Sequence, residues 1–143
     1  MNVTSILRDK GRDVVALQPH QTLGEAITIL AEKRIGAVVV TGAAGALLGI
    51  LSERDVVRQL AAGGAAAMDT PVSRVMTAKV VTCSEETSVD ELMEIMTTGR
   101  FRHVPVIHNE RVSGIVSIGD IVKRRVAEIE AESKAMREYI AMA

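Results

Sequence analysis

Aromatic residues are nearly absent from this chain: its 143 residues include no Trp, and Phe101 and Tyr139 are the only rings. Without ring platforms, base stacking on single-stranded nucleic acid has no basis. Charge of one sign is missing too, since 17 Lys and Arg stand against 18 Asp and Glu for a net charge of -1. Neither nucleic acid nor an anionic membrane surface is therefore an expected partner. A single cysteine, Cys83, excludes an internal disulfide and agrees with a reducing compartment. No apolar run approaches the roughly 20 residues of a membrane span, and residues 1–5 carry no signal-peptide pattern. The expectation is a soluble, cytoplasmic protein.

What the chain does have is aliphatic. Hydrophobic residues make up 48% of it, so Val, Ile, Leu, Ala and Met must fill the core. The length suits one domain, yet the stretch Gly49-Ile50-Leu51-Ser52-Glu53-Arg54-Asp55-Val56-Val57 returns as Gly114-Ile115-Val116-Ser117-Ile118-Gly119-Asp120-Ile121-Val122. In each copy an apolar strand runs into Ser-x-x-Asp at the mouth of a helix. A hydroxyl, a carboxylate and free backbone N–H groups are thereby brought together, which suits a sugar-phosphate ligand.

The repeat extends through the chain. Residues 3–7 and 72–76 share an apolar pattern and read as short helical lead-ins. Extended pairs follow at Val14-Val15 and Val80-Val81, a shift of 80 − 14 = 66. Thr22-Leu23-Gly24-Glu25 and Ser88-Val89-Asp90-Glu91 keep that shift and read as capping boxes opening two helices. Leu23, Ala26, Ile27 and Leu30, like Val89, Leu92, Met93 and Met96, recur at i, i+3, i+4, i+7, so each helix has one buried face. Residues 37–40 and 104–107 read as buried strands, with Pro105 at a strand start or on an edge. Each strand turns back through a hairpin, 41–45 or 108–110, into residues 47–51 or 112–116. The second turn is one residue shorter, since 120 − 55 = 65.

After Ile121 the final helix runs on with no counterpart in the first copy. Val122, Val126, Ile129, Ser133, Met136 and Ile140 alternate spacings of four and three, a weak heptad seam of about two and a half heptads. Two readings stay open for it, a helix folded back on its own core and a helix that meets a partner. The chain divides into a first repeat over 3–67, a linker over 68–73, a second repeat over 74–125 and a tail over 126–143.

The doubled β-α-β-β-α order, the corner Gly-Ile-[Leu/Val]-Ser-x-x-Asp in both copies and Arg102-His103-Val104-Pro105-Val106 resemble the cystathionine-β-synthase (CBS) domain family. The resemblance runs from Val3 to about Arg125 and looks like a free-standing CBS pair, with no enzyme or transporter domain attached. It implies an α/β fold of the α+β type: tandem repeats packed sheet to sheet about a pseudo-two-fold axis, with a C-terminal helix outside the pattern. It also implies a regulatory module without catalysis, a homodimer that acts on an unidentified protein target. Adenine nucleotides or related adenosyl ligands would bind in clefts between the repeats, AMP first, with ATP, ADP, NAD(H) and S-adenosylmethionine as alternatives.

In such pairs the Asp of the corner holds ribose hydroxyls and the Ser lies near phosphate. Carried over by position, one cleft would combine Ser52, Arg54 and Asp55 with Val80, Thr82, Arg102 and His103. Its mate would combine Ser117, Ile118 and Asp120 with Leu17, Gly36 and Ala37. Arg102-His103 in the first stand where the second has Gly36-Ala37, so the first is expected to favour a phosphate through charge-assisted bonds. The second is left with a less charged adenosyl ligand, another part of a dinucleotide, or nothing, unless Lys123 and Arg124 compensate.

Plainer readings sit beside these. Ser52-x-x-Asp55 is also an ordinary helix cap, and Arg102-His103 is also a solvated pair. The clefts of a scaffold acting through its C-terminal helix would be empty. Gly42 and Gly45 lack the spacing and the Lys of a phosphate loop. His20, His103, His108 and Cys83 lack zinc spacing, and no set of nucleophile, base and orienting group emerges.

Overall fold

The computed structural model describes residues 1–142. Helix α1 (Val3–Lys10) leads into β1 (Ala16–Leu17), α2 (Leu23–Lys33), β2 (Ala37–Thr41), β3 (Leu47–Ser52) and α3 (Glu53–Gly63). A 3-10 stretch over Gly64–Asp69 links this half to α4 (Val72–Val75), α5 (Val89–Gly99), β4 (His103–His108), β5 (Arg111–Ser117) and the long α6 (Ile118–Met142). The expected α+β tandem repeat with a C-terminal helix is present. No helix among the described residues is long and apolar enough to cross a membrane.

Helices α2 and α5 start where the hydroxyls predict, with Thr22 Oγ1 accepting from the Glu25 N–H at 3.2 Å and Ser88 Oγ from the Glu91 N–H at 3.0 Å. Only that half of each expected box forms. Glu25 takes its own bond from Gln21 Nε2 instead. The complete reciprocal boxes lie at the two Ser-x-x-Asp corners, whose shorter carboxylates reach back to the serine N–H at 2.9 Å for Asp55 and 2.8 Å for Asp120.

Each half has its own aliphatic core, and the lead-in helices are exchanged between them. Val3, Ile6 and Leu7 of α1 are buried with Leu92, Val104, Val116 and Ile121 of the second half. Val72 of α4 is buried with Leu23, Val38 and Leu51 of the first. Matched backbone bonds tie the exchange: Val3 N–H to Thr87 O at 2.9 Å and Val89 N–H to Met1 O at 3.1 Å on one side, Leu23 N–H to Thr70 O at 2.9 Å and Val72 N–H to Gln21 O at 2.7 Å on the other. The glycine that opens each repeated corner stems from this docking. A Cβ on Gly49 would lie 2.5 Å from Met76 Sδ, and one on Gly114 would lie 2.7 Å from Leu7 Cδ2. Any side chain there would push the lead-in away.

The hairpins β2–β3 and β4–β5 are antiparallel, with matching bulges after Val40 and Val106. The first strands differ from expectation. In the first half the strand is Ala16–Leu17, parallel to β2 and two residues beyond Val14-Val15; Val15 still contributes its carbonyl to the Val39 N–H at 3.4 Å. In the second half Val80-Val81 is not a strand, and only Cys83 bridges to Val106. Pro105 supplies the reason. It occupies Val39's place, since 105 − 39 = 66, and it sits inside β4 with its carbonyl accepting from the Cys83 N–H at 3.0 Å. A proline has no N–H to give the Val81 carbonyl, so the pairing stops and residues 80–81 leave the sheet.

Candidate functional site

Those released residues form one wall of a cavity of about 680 Å³ between the repeats, within the range of small-molecule sites. The first corner, Ser52, Glu53, Arg54 and Asp55, also lines it, with Ile50 of β3 and with Arg58 one turn along α3. Thr77 and Lys79 come from the lead-in side, and the chain entering β4 adds Arg100, Phe101, Arg102 and His103. Five permanent cations, Arg54, Arg58, Lys79, Arg100 and Arg102, thus face two carboxylates, Glu53 and Asp55. The field inside favours an anion. Ile50, Val80, Val81 and Phe101 add apolar lining that suits a flat ring.

The corner itself is rigid. Ser52 Oγ accepts the Asp55 N–H at 3.3 Å and bonds to Asp55 Oδ2 at 3.1 Å, while the Ser52 N–H donates to the same oxygen at 2.9 Å. The plain capping role of Ser52 and Asp55 is therefore real, and it holds the carboxylate in place at the cavity wall. Arg100 caps α5 in the left-handed region, at φ 58°. Its counterpart Arg34 does the same at φ 54°, so this geometry is how both helices end and is not peculiar to the site.

His103 lies against Gly36, where an added Cβ would come within 3.1 Å of its Cε1. A side chain at position 36 would crowd the imidazole. Burial pushes the His103 pKa below its ordinary value; Lys10 and Arg102 push the same way, while Glu53 and Asp120 oppose them. The lowered pKa favours the neutral imidazole in the free protein.

Of the first set of expected residues, Ser52, Arg54, Asp55, Val80, Arg102 and His103 line this one cavity. Thr82 is exposed and does not line it. The second set disperses. Gly36 lines the first cavity, Leu17 and Ala37 are 1% and 6% exposed in the first-half sheet, and Ile118 is 45% exposed. Leu17 and Ala37 thus have little side-chain surface to offer a ligand.

The second corner keeps the capping geometry but is already engaged. Asp120 Oδ2 accepts the Ser117 N–H at 2.8 Å and the Lys10 ammonium at 2.7 Å, and Lys10 Nζ also donates to the Ile115 carbonyl at 2.9 Å. Burial works against ionisation of Asp120, but the bonds from Lys10 and Ser117 outweigh it and hold the pKa below the usual carboxylate range. In the first half the equivalent carbonyl, that of Ile50, takes the backbone N–H of Thr77 at 2.9 Å. Lys79, which matches Lys10 by the lead-in shift of 79 − 10 = 69, lines the cavity instead. Arg124 is held by Asp9 at 2.6 Å.

Sequence reasoning missed Glu53, Arg58, Lys79, Arg100 and Phe101 as lining residues. Two signals were available: Arg54 and Arg58 stand at i, i+4 on one helix face, and Lys79 repeats Lys10.

Comparisons with known proteins agree with this architecture. The CBS domain pattern matches twice, over residues 5–62 and 72–127. The CBS domain-containing protein CBSX3, mitochondrial, of Arabidopsis thaliana is 33% identical over 146 residues, covering 96% of this chain and 71% of that protein. The crystal structure of a CBS-domain containing protein from Agrobacterium tumefaciens superposes with a TM-score of 0.84 at 53% identity, covering 87% of this chain and 99% of the other. The CBS domain pair of protein MJ0100, solved with 5′-methylthioadenosine and S-adenosyl-L-methionine, superposes with a TM-score of 0.80 at 26% identity, covering 90% and 98%.

Proposed function

This chain belongs to the CBS domain family, and on that footing we propose that it is a regulatory module that binds a phosphorylated adenosine in the cavity walled by Ser52 and Asp55. One observation carries the reading: a carboxylate corner held only by bonds within its own turn shares one cavity with five cations and with apolar lining residues. In the reading, Asp55 accepts from the ribose hydroxyls. The adenine lies on Ile50, Val80, Val81 and Phe101, and Arg102 and His103 meet phosphate with Arg54, Arg58, Lys79 and Arg100 around them. AMP is the simplest such ligand. The cations outnumber what one phosphate neutralises, so ADP and ATP are expected to bind at least as well, with NAD(H) as a further candidate. S-adenosylmethionine carries a positive sulfonium and is disfavoured here, although the MJ0100 pair was solved with it.

The module performs no chemistry on its ligand in this reading. Occupancy alters the relation of the two halves, because a ligand shifts an equilibrium by its difference in affinity between two arrangements. The reading includes a homodimer, an unidentified protein target and a cytoplasmic setting, the last supported by one buried thiol, Cys83. Calorimetric titration of Arg102→Ala with AMP and with adenosine tests it. Loss of a charge-assisted bond is worth about 1.5–3 kcal/mol, so AMP should weaken about tenfold or more while adenosine changes little. Equal losses, or no binding of any adenosine phosphate to the folded wild type, would remove the proposal and leave the scaffold reading.

A further inference from the structure

The C-terminal part of α6 lacks an intramolecular partner among the described residues. Ile121 is the only buried residue of the helix, and Arg124 and Arg125 bond to Asp9 and Asp90. Beyond Glu128 the one side-chain hydrogen bond runs within the helix, from Arg137 to Ser133 at 3.1 Å. Helices in proteins draw most of their stability from packing an apolar face, and among the described residues nothing of this chain covers residues 129–142. The reading of this tail as folded back on its own core does not hold: Val122, Val126, Ile129, Met136 and Ile140 are 55%, 47%, 59%, 60% and 65% exposed. They form one stripe with Ser133, and the stripe continues past residue 127, where the family match ends.

The charges flanking the stripe select the occupant. In a parallel pair of helices, the residue just before each a position faces the residue five places further on in the other helix. With Val126, Ser133 and Ile140 at a, Arg125 faces Glu130 and Glu132 faces Arg137, opposite charges both times. An antiparallel pair overlapping over the whole stripe would set Glu130 against Glu130, Glu132 against Glu132 and Lys123 against Arg137. Arg125 is engaged by Asp90 and Glu128 within the chain, which leaves Glu132 with Arg137, whose one side-chain bond within the chain is to the neutral Ser133 hydroxyl. We propose that α6 pairs in parallel with α6 of a second copy of this chain. Two and a half heptads form a short coil, and anchoring at Ile121 pre-orders each strand of it. The polar layer at Ser133 weakens the coil and fixes its register, as single polar a residues do.

This inference does not rest on the ligand reading. The test is Ser133→Cys in the full chain under mild oxidation. Parallel pairing puts the two new thiols in one layer, whereas the antiparallel pair sets position 133 against Ile129. Cys83 stays out of the reaction, since burial pushes its thiol pKa up to about 11. The expected result is a disulfide-linked dimer that disappears when Ile129→Asp and Met136→Asp are added, and sedimentation velocity should show the same loss of dimer in the unoxidised protein. Both added sites are exposed in the single chain, so the variants fold. A cysteine variant that stays unlinked, or a link that survives the aspartates, would overturn the proposal.

Discussion

The two Ser-x-x-Asp corners share a motif, a capping box and a place in the repeat, and they face different surroundings. At the first, Asp55 bonds only within its own turn and looks into a cavity. At the second, the Lys10 ammonium lies on Asp120 and on the carbonyl beside it. The difference traces to two places in the sequence. Helix α1 runs on to Lys10, while α4 stops at Val75 and lets Thr77 pair with Ile50 through its backbone. Pro105 denies the second half its full first strand and frees Val80 and Val81 to line the cavity. A duplicated motif thus records a shared fold, and what each copy can hold depends on the segments packed against it.

Substitutions at the corners should separate them most sharply. Asp55→Ala removes the proposed ribose acceptor and is expected to weaken ADP binding by about tenfold to a hundredfold, for a charged hydrogen bond worth about 1.5–3 kcal/mol. Asp120→Ala should leave that affinity unchanged, and equilibrium dialysis distinguishes the two. Both lose the carboxylate half of a capping box, and Asp120→Ala also loses the Lys10 pair, so its melting temperature should fall at least as far as that of Asp55→Ala while ADP affinity is kept.

Making the halves more alike should reduce binding less. Pro105→Val restores an N–H opposite the Val81 carbonyl, so residues 80–81 should rejoin β4 and protect that amide from exchange. An affinity loss of several-fold, about 1 kcal/mol, would accompany it as the wall moves. An unprotected amide at position 105 would show that proline does not cause the opening.

Protonation of His103 gives a smaller effect with a defined sign. Its pKa in the free protein is lowered and a bound phosphate raises it, so binding takes up a proton. Affinity for AMP should therefore rise a few-fold as pH falls from about 7.5 toward 6, whereas adenosine shows no such slope. His103→Gln should flatten the AMP curve.

Lys10→Met should have the least effect. Asp120 has a depressed pKa in the folded state, so its stabilising contribution is present above the ordinary carboxylate pKa of about 4 and is lost as pH falls through the folded value. The pair is partly exposed, with side chains at 32% and 21%, so the destabilisation at pH 7 should stay within about 1 kcal/mol. It should vanish in acid. A difference from wild type that persists at low pH would mean Lys10 acts by packing.

Much of this was legible in the sequence because the repeat checks itself. The shift of 66 fixed α2 with α5 and β2 with β4, and six of the seven residues assigned to the first cleft meet in one cavity. The exchange of α1 and α4 was not legible, since an apolar lead-in does not say which core it joins. Leu17 and Ala37 were assigned by extending the symmetry, and the sequence did not show that β1 and β2 leave their side chains little surface. The engagement of Asp120 by Lys10 spans 110 residues of sequence, and no local pattern announces it. Pro105 was visible as well, but its consequence depended on knowing which side of β4 its missing N–H faces.

The most direct test of the comparison is the stoichiometry of ADP binding to the wild-type chain, measured by calorimetry on ligand-stripped protein of known active concentration. An open first corner and an engaged second one predict one ADP per chain, weakened about tenfold or more in Asp55→Ala and unchanged in Asp120→Ala. Two equivalent sites per chain, or binding that depends on Asp120 and not on Asp55, would contradict it.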